Sequence, residues 1–378
     1  MDNTKKAKKS KISLPQIVSA LIYLVVGGIS GGILIECIDE LGLGFIEGFV
    51  LILLVVYASL FLHIIIHEGG HLIFGLLTGY RFSSFRIGSI MLIKSKGKMR
   101  LKRLSLAGTG GQCLLAPPPE KDGKIPVMLY NFGGAIANIV ISAVCAALLL
   151  LFDFASVAVY PVLVFVLIGV AFAITNGVPM RMGMVDNDGY NALSLGKNPK
   201  AMKSFILQLK VNEQQAEGVR LKNMPSQWFE LPEFEDMKNN SMVAAQGVFV
   251  CNRLMDEQRF EEAEALMKQI MENVELIALY SSLMKCDRIY CELIGENRAE
   301  VLDKFLNNEQ EKFMQSMKKY ISVIRTRYAY ALLAKKDMEE AKKWENAFEK
   351  AAKQYPHEAD IECERDFMAI AKEKALKA

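Results

Sequence analysis

The sequence predicts a mainly α-helical protein, a polytopic membrane helix bundle of about four spans with a β-hairpin region, followed by a soluble α-helical domain. Three observations carry this prediction. Apolar runs of about 20 residues or more recur through the first half of the 378-residue chain. Between the second and third runs lies a basic stretch with period-two alternation. Beyond about residue 195 the composition turns charged and amphipathic, with helical periodicity. The expected division is therefore a membrane-embedded domain at 1–196, a linker at 197–240 and a cytosolic helical domain at 241–378.

The first span, about 14–37, follows a basic start from Met1 to Lys11. No small-x-small cleavage site follows a short apolar core, so an uncleaved helix is expected rather than a signal peptide. Its Gly27-Gly28 and Gly31-Gly32 pairs form two overlapping GxxxG spacings, which suit either close helix approach or simple tolerance of glycine in a membrane helix. The second run, about 45–80, is longer than a hydrocarbon core of roughly 30 Å requires, so it must tilt, break or protrude. Further spans are expected at 127–152 and 156–178.

Lysines and arginines orient these spans. The N-terminal lysines and the segment from Arg81 to Lys124 are basic, whereas the connections at Asp39-Glu40 and Asp153 are not. The positive-inside rule then places both termini in the cytoplasm of a multi-pass cell-membrane protein. Within 81–105, Lys98-Met99-Arg100-Leu101-Lys102 alternates and Ser95-Lys96-Gly97 reads as a turn, giving one or two hairpins. Such a hairpin is either a solvated orienting element or an edge that receives an extended segment by strand addition.

In the helical domain, similar phrases recur at Phe260-Glu261-Glu262-Ala263, Asn297-Arg298-Ala299 and Met338-Glu339-Glu340-Ala341, their alanines 36 and then 42 residues apart. This suits either a tetratricopeptide-like array, whose repeat is about 34 residues, or an irregular bundle. Either would offer a surface to a cytosolic protein partner. Pro225 to Phe234, with Trp228, reads as a junction. A formal charge of +3 and the lack of any nucleic-acid motif exclude nucleic acid as a partner. Seven dispersed cysteines without C-x-x-C spacing indicate free thiols.

Three of the four histidines, His63, His67 and His71, fall in the second span, and the last two frame His67-Glu68-Gly69-Gly70-His71. Positions four apart on a helix differ by roughly 6 Å in rise and 40° in rotation, so both imidazoles reach one metal ion. Glu68 flanks that face as a candidate general base. Ionisable groups inside a span are functional by default, which favours a metal site over a chance match. His63 lies roughly 9 Å in rise from the midpoint of the pair, too far to share the ion, and suits a water-contacting or supporting role. A catalytic zinc ion has three protein ligands, and no third histidine is available, His357 lying in the distant soluble part. The conspicuous carboxylates beside a span are Asp186 and Asp188.

The His-Glu-x-x-His span, followed by Asn176-Gly177-Val178-Pro179 and then Asp188-Gly189, resembles the site-2 protease family of intramembrane zinc metalloproteases over roughly Phe45 to Tyr190. The resemblance implies one catalytic Zn2+ held by His67, His71 and Asp188, with Glu68 as general base. It also implies substrate-binding roles for Asn176 and for Asn138 in Gly133-Gly134-Ala135-Ile136-Ala137-Asn138, where alanine replaces the family's proline. The Asp-Gly pair stands twelve residues beyond Asn176, four more than the family's usual spacing, so Asp186 competes as the third ligand.

The implied function is an intramembrane zinc endopeptidase that cleaves membrane-spanning or membrane-associated polypeptides near the cytoplasmic face, in regulated proteolysis or peptide maturation. Its partners are then a membrane substrate, the lipid bilayer and a cytosolic protein on the helical domain. The competing reading is a membrane scaffold or receptor with a structural or idle zinc site, and a transporter is disfavoured by too few spans.

Overall fold

The computed structural model describes residues 14–106, 109–180 and 186–377; the basic start and the residues 181–185 that lengthen the Asp-Gly spacing lie outside them. Four helices have the length and apolarity to cross a membrane: α1 (Leu14–Leu41), α2 (Phe45–Leu77), α3 (Val127–Leu151) and α4 (Ser156–Gly177). The predicted mainly α fold with about four spans is borne out, as is the β region. The chain divides into two compact units, one of Met1–His71 with Asn131–Leu193, the other of Leu72–Tyr130 with Ser194–Ala378.

In the first unit α1 packs along α4, with Leu34, Val164 and Ile168 forming an apolar centre. Two polar contacts fix the pair at separate heights: the Tyr23 and Thr175 hydroxyls lie 3.1 Å apart, and the Ser156 hydroxyl donates to Glu40. The GxxxG glycines of α1 take no part in a close helix contact among the described residues, because a Cβ at Gly27, Gly28, Gly31 or Gly32 would meet open space. Close backbone approach occurs instead between α2 and α3. A Cβ on Gly70 would strike the Gly133 carbonyl, and one on Gly133 would lie 2.7 Å from the Gly70 oxygen. Lacking side chains, these two glycines let the backbones touch.

The second unit begins with the end of α2, which neither breaks nor kinks but stops where Gly79 turns left-handed (φ 90°) and the Tyr80 N–H returns to the Gly75 carbonyl. A four-stranded antiparallel sheet follows, β1 (Arg81–Ile87), β2 (Ile90–Ser95), β3 (Lys98–Arg103) and β4 (Gly111–Ala116), in the order β3-β2-β1-β4. Lys96 and Gly97 both have positive φ, 49° and 74°, the conformation a two-residue hairpin demands. The basic hairpin is not freely solvated. Lys96 and Arg100 pair with Glu358 at 2.7 and 2.8 Å, and the Arg103 N–H donates to the Gln354 carbonyl at 2.7 Å, occupying one end of the β3 edge.

The helices of this unit are α5 (Asp188–Lys197, from residue 194 onward), α6 (Pro199–Ala216), α7 (Phe234–Asn239), α8 (Ser241–Asp256), α9 (Phe260–Asn273), α10 (Ala278–Ile294), α11 (Ala299–Phe305), α12 (Asn308–Ser316), α13 (Ile321–Ala329), α14 (Met338–Ala352) and α15 (Glu358–Lys377). Asn198 caps α6 by accepting from the Lys200 and Ala201 N–H groups, and Pro199 at its first position has no N–H to satisfy. Ala201, Phe205 and Leu209 carry α6 into the unit's core. Of the three recurrent alanines, Ala263 and Ala341 are buried and Ala299 is exposed.

Arg325 and Arg220 in this unit are paired with carboxylates. Fully buried Arg325 donates from Nε to Glu364 at 2.7 Å and from Nη2 to Asp287, while its guanidinium lies 4.5 Å from the Tyr290 ring centroid. Arg220 likewise joins Asp256 and Asp366. A cavity of about 340 Å³ lies among Met91, Leu114, Asp256, Asp360 and Glu364. Burial pushes the Glu364 carboxyl up to about 7 despite the opposing Arg325 charge, and it raises Asp360 as well. All seven cysteines are free thiols, as their spacing suggested.

Candidate metal centre

The site is assembled on α2 from the helical repeat itself. His67 and His71, four residues apart, present their Nε2 atoms 3.1 Å from each other, with the rings edge-on at 85°. The helix is continuous here even though two glycines separate the pair, and α3 packs against it on the side that carries His67. Gly70 meets Gly133, and a Cβ on Gly134 would lie 2.5 Å from the His67 ring. The Gly133-to-Asn138 phrase therefore reaches the site through its glycines, which allow α3 to press against the metal-binding face.

The third group arrives from beyond α4. Pro179 ends that helix's direction, and the chain returns through Asn187 to α5, where Asp188 is the first residue. Its Oδ2 lies 3.0 Å from His67 Nε2 and 3.4 Å from His71 Nε2. Of the two aspartates left open by the sequence, Asp188 is the one whose carboxylate meets both imidazoles; Asp186 is outside this cluster. Three donors at zinc-ligand distances of about 2.0–2.1 Å and tetrahedral angles lie about 3.3 Å apart. The observed separations of 3.0, 3.1 and 3.4 Å match that triangle. Burial opposes ionisation of Asp188, but positive charge at His71 and hydrogen bonds from both imidazoles hold its carboxyl well below the usual range.

Asn187 was not singled out by the sequence, yet it fixes this geometry. Its Oδ1 accepts from the N–H groups of Met180 and Tyr190, both at 2.9 Å, and its Nδ2 donates to the carbonyls of Thr175 (2.8 Å) and Val178 (2.5 Å). One buried amide thus caps α5 and ties it to the end of α4. Gly189 completes the junction, since a Cβ there would collide with the Gly177 carbonyl. The available signal was an asparagine, a residue type favoured at helix N-caps, directly before the Asp188-Gly189 pair.

The remaining candidates are distributed around the cluster. Glu68 is buried beside His67. His63 lies outside the three-residue cluster, stacked on Phe165 at 4.1 Å with Nε2 2.8 Å from the Phe165 carbonyl oxygen. Asn138 is fully buried, and half-buried Asn176 donates from Nδ2 to the Phe172 carbonyl at 2.9 Å.

Residues 55–345 match the profile of peptidase family M50. The chain belongs to peptidase family M50. No curated protein and no solved structure matches it. M50 membership, the site-2 protease family, makes the chain a metalloprotease of the intramembrane type, consistent with its four apolar helices. The M50 match extends well past Tyr190 into α14, so the helices that follow the membrane half fall within the family's pattern. M50 proteases are zinc-dependent, and His67, His71 and Asp188 form a cluster able to hold a metal ion.

Proposed function

We propose that this M50 member is a zinc endopeptidase that cuts membrane-spanning or membrane-associated polypeptides near the cytoplasmic face of the cell membrane. The observation that carries the proposal is the meeting of His67, His71 and Asp188 at tetrahedral-edge distances, with Glu68 beside them on a helix apolar enough to span. In this reading those three side chains hold a single zinc ion. Bound zinc supplies Lewis acidity toward water and toward the scissile carbonyl. Glu68 takes the proton from the attacking water and returns it to the departing amine. The buried setting keeps competing bulk water from Glu68 and strengthens its electrostatic interactions.

A helical substrate hides its peptide bonds in its own hydrogen bonds, so it must unwind locally before cleavage. Asn176 is offered as the contact for the unwound backbone, its Oδ1 accepting a substrate N–H. Asn138, fully buried, is offered as a supporting polar residue rather than one that meets the substrate's surface. The basic Arg81 to Lys124 segment supports cytoplasmic termini in a multi-pass arrangement. The helices after residue 240 are proposed as the docking place of a cytosolic partner.

The test is Glu68→Gln protein in bilayers, with a membrane-spanning reporter polypeptide and metal analysis of the same sample. The expected result is one zinc ion per chain and cleavage lowered by about 10²–10⁴-fold. Retained cleavage would remove Glu68 from the chemistry and overturn the mechanism.

A further inference from the structure

The first unit contains a second polar cluster, built into the interior of its apolar helices. Asn138 and Ser142 of α3 and His63 of α2 are at most 1 % exposed. Asn138 Nδ2 and Oδ1, Ser142 Oγ and His63 Nδ1 make no hydrogen bond of full geometry, the Asn138 amide and His63 standing only in side-chain contact with each other. Ser142 and His63 meet at Gly169 of α4, where a Cβ would strike both the Ser142 hydroxyl and the His63 ring, and the Asn138 amide lies beside His63. Glycine at 169 is what allows α4 to close over the polar pair.

The chemistry of these atoms identifies the ligand. The Phe165 carbonyl can only accept, so the His63 Nε2 that lies 2.8 Å from it carries the proton and Nδ1 presents a lone pair. The open set therefore comprises two acceptors, an amide donor and a hydroxyl able to do either, with no net charge. A cation would be repelled by the amide N–H and an anion by the lone pairs. Water satisfies both kinds of group, and a buried water characteristically makes about three such bonds. Leaving these groups unsatisfied within apolar helices is strongly unfavourable.

The location gives this water a use. His63 precedes His67 by one helical turn, and Asn138 follows by one turn the Gly134 that lies against the His67 ring. On α2, the buried polar positions Ser59, His63, His67 and His71 recur every four residues, forming a seam along an otherwise apolar helix. We propose that His63, Asn138 and Ser142 hold ordered water behind the metal cluster as the reserve from which the hydrolytic water is replenished. This rests on the hydrolase reading above, since peptide-bond cleavage consumes one water per turnover.

The direct test is solid-state NMR of the full Glu68→Gln chain in bilayers, with ¹⁵N-labelled histidine and asparagine, following magnetisation transfer from water protons. Transfer to His63 Nδ1 and Asn138 Nδ2 is expected, and its loss at His63 in Asn138→Leu. The companion measurement is cleavage by Asn138→Leu and Ser142→Ala in the Glu68-containing protein, with an expected drop in kcat of about tenfold at unchanged KM and zinc content. Absence of transfer at both atoms overturns the water site whatever Glu68→Gln does to cleavage. Transfer accompanied by unchanged kcat in both variants overturns the supply role.

Discussion

Two buried polar side chains, one in each unit, meet their surroundings in different ways. In the sheet-containing unit, Arg325 is fully buried and reaches two carboxylates and an aromatic face. In the membrane-helix unit, Asn138 is equally buried and its amide meets no protein group beyond a contact with His63. Burial alone therefore does not mark a functional group. A buried charge whose partners come from the fold stabilises or specifies that fold, whereas a buried polar group left open has a place for something the fold does not provide.

The sharpest way to break this contrast is to remove one member from each side. Arg325→Met should leave Asp287 and Glu364 buried without their cation and lower stability by about 3–5 kcal/mol. Both tryptophans, Trp228 and Trp344, lie in that unit, so tryptophan fluorescence during urea unfolding reads it selectively. Asn138→Leu should cost only about 1 kcal/mol, because it removes a neutral amide bonded to water and leaves no buried charge without its partner. Labelling of buried Cys37 during thermal unfolding follows the membrane-helix unit. Equal losses for the two variants would erase the distinction.

The next effect sharpens it at the cluster of His67, His71 and Asp188, where the proposed partner of the polar groups is an ion. Asp188→Asn should weaken zinc affinity by at least about a hundredfold, and Asp186→Asn should leave it within a factor of about two. Chelator competition measures both. A reversed order would make Asp186 the ligand.

The smallest effect concerns what pairing leaves uncompensated. Glu364 titrates near 7 in the folded chain against an ordinary value of 4.5, so the folded state holds this proton more tightly than the unfolded chain. Its contribution is fully present below about 4.5 and is lost as pH rises through about 7. Glu364→Gln should flatten the decline of the urea midpoint across that interval. An unaltered slope would show that the pH dependence arises from other carboxyls.

The parts of the molecule legible in the sequence were those in which one local period decides the outcome. Length and apolarity fixed α1 to α4, and the four-residue step of an α-helix placed His67 beside His71. Strand β4 lacked a comparable alternation, and it owes its place to pairing with β1. The third member of the metal cluster was narrowed only to Asp186 or Asp188, because which carboxylate points inward depends on the return of the chain after α4. Glycines were the least legible residues. The GxxxG pairs of α1 suited either packing or simple tolerance of glycine and meet open space, while Gly70, Gly133, Gly134 and Gly169 set close approaches around the cluster.

Asn187 changes how the length of the segment before Asp188 should be understood. Its side chain accepts from the Met180 N–H, and its own N–H donates to the Met180 carbonyl at 3.2 Å, so positions 180 and 187 form a closed base. The two ends of that segment are thereby held together, and α5 starts from a point tied to the end of α4. The position of Asp188 beside His67 and His71 then depends on one amide and the four backbone groups it binds.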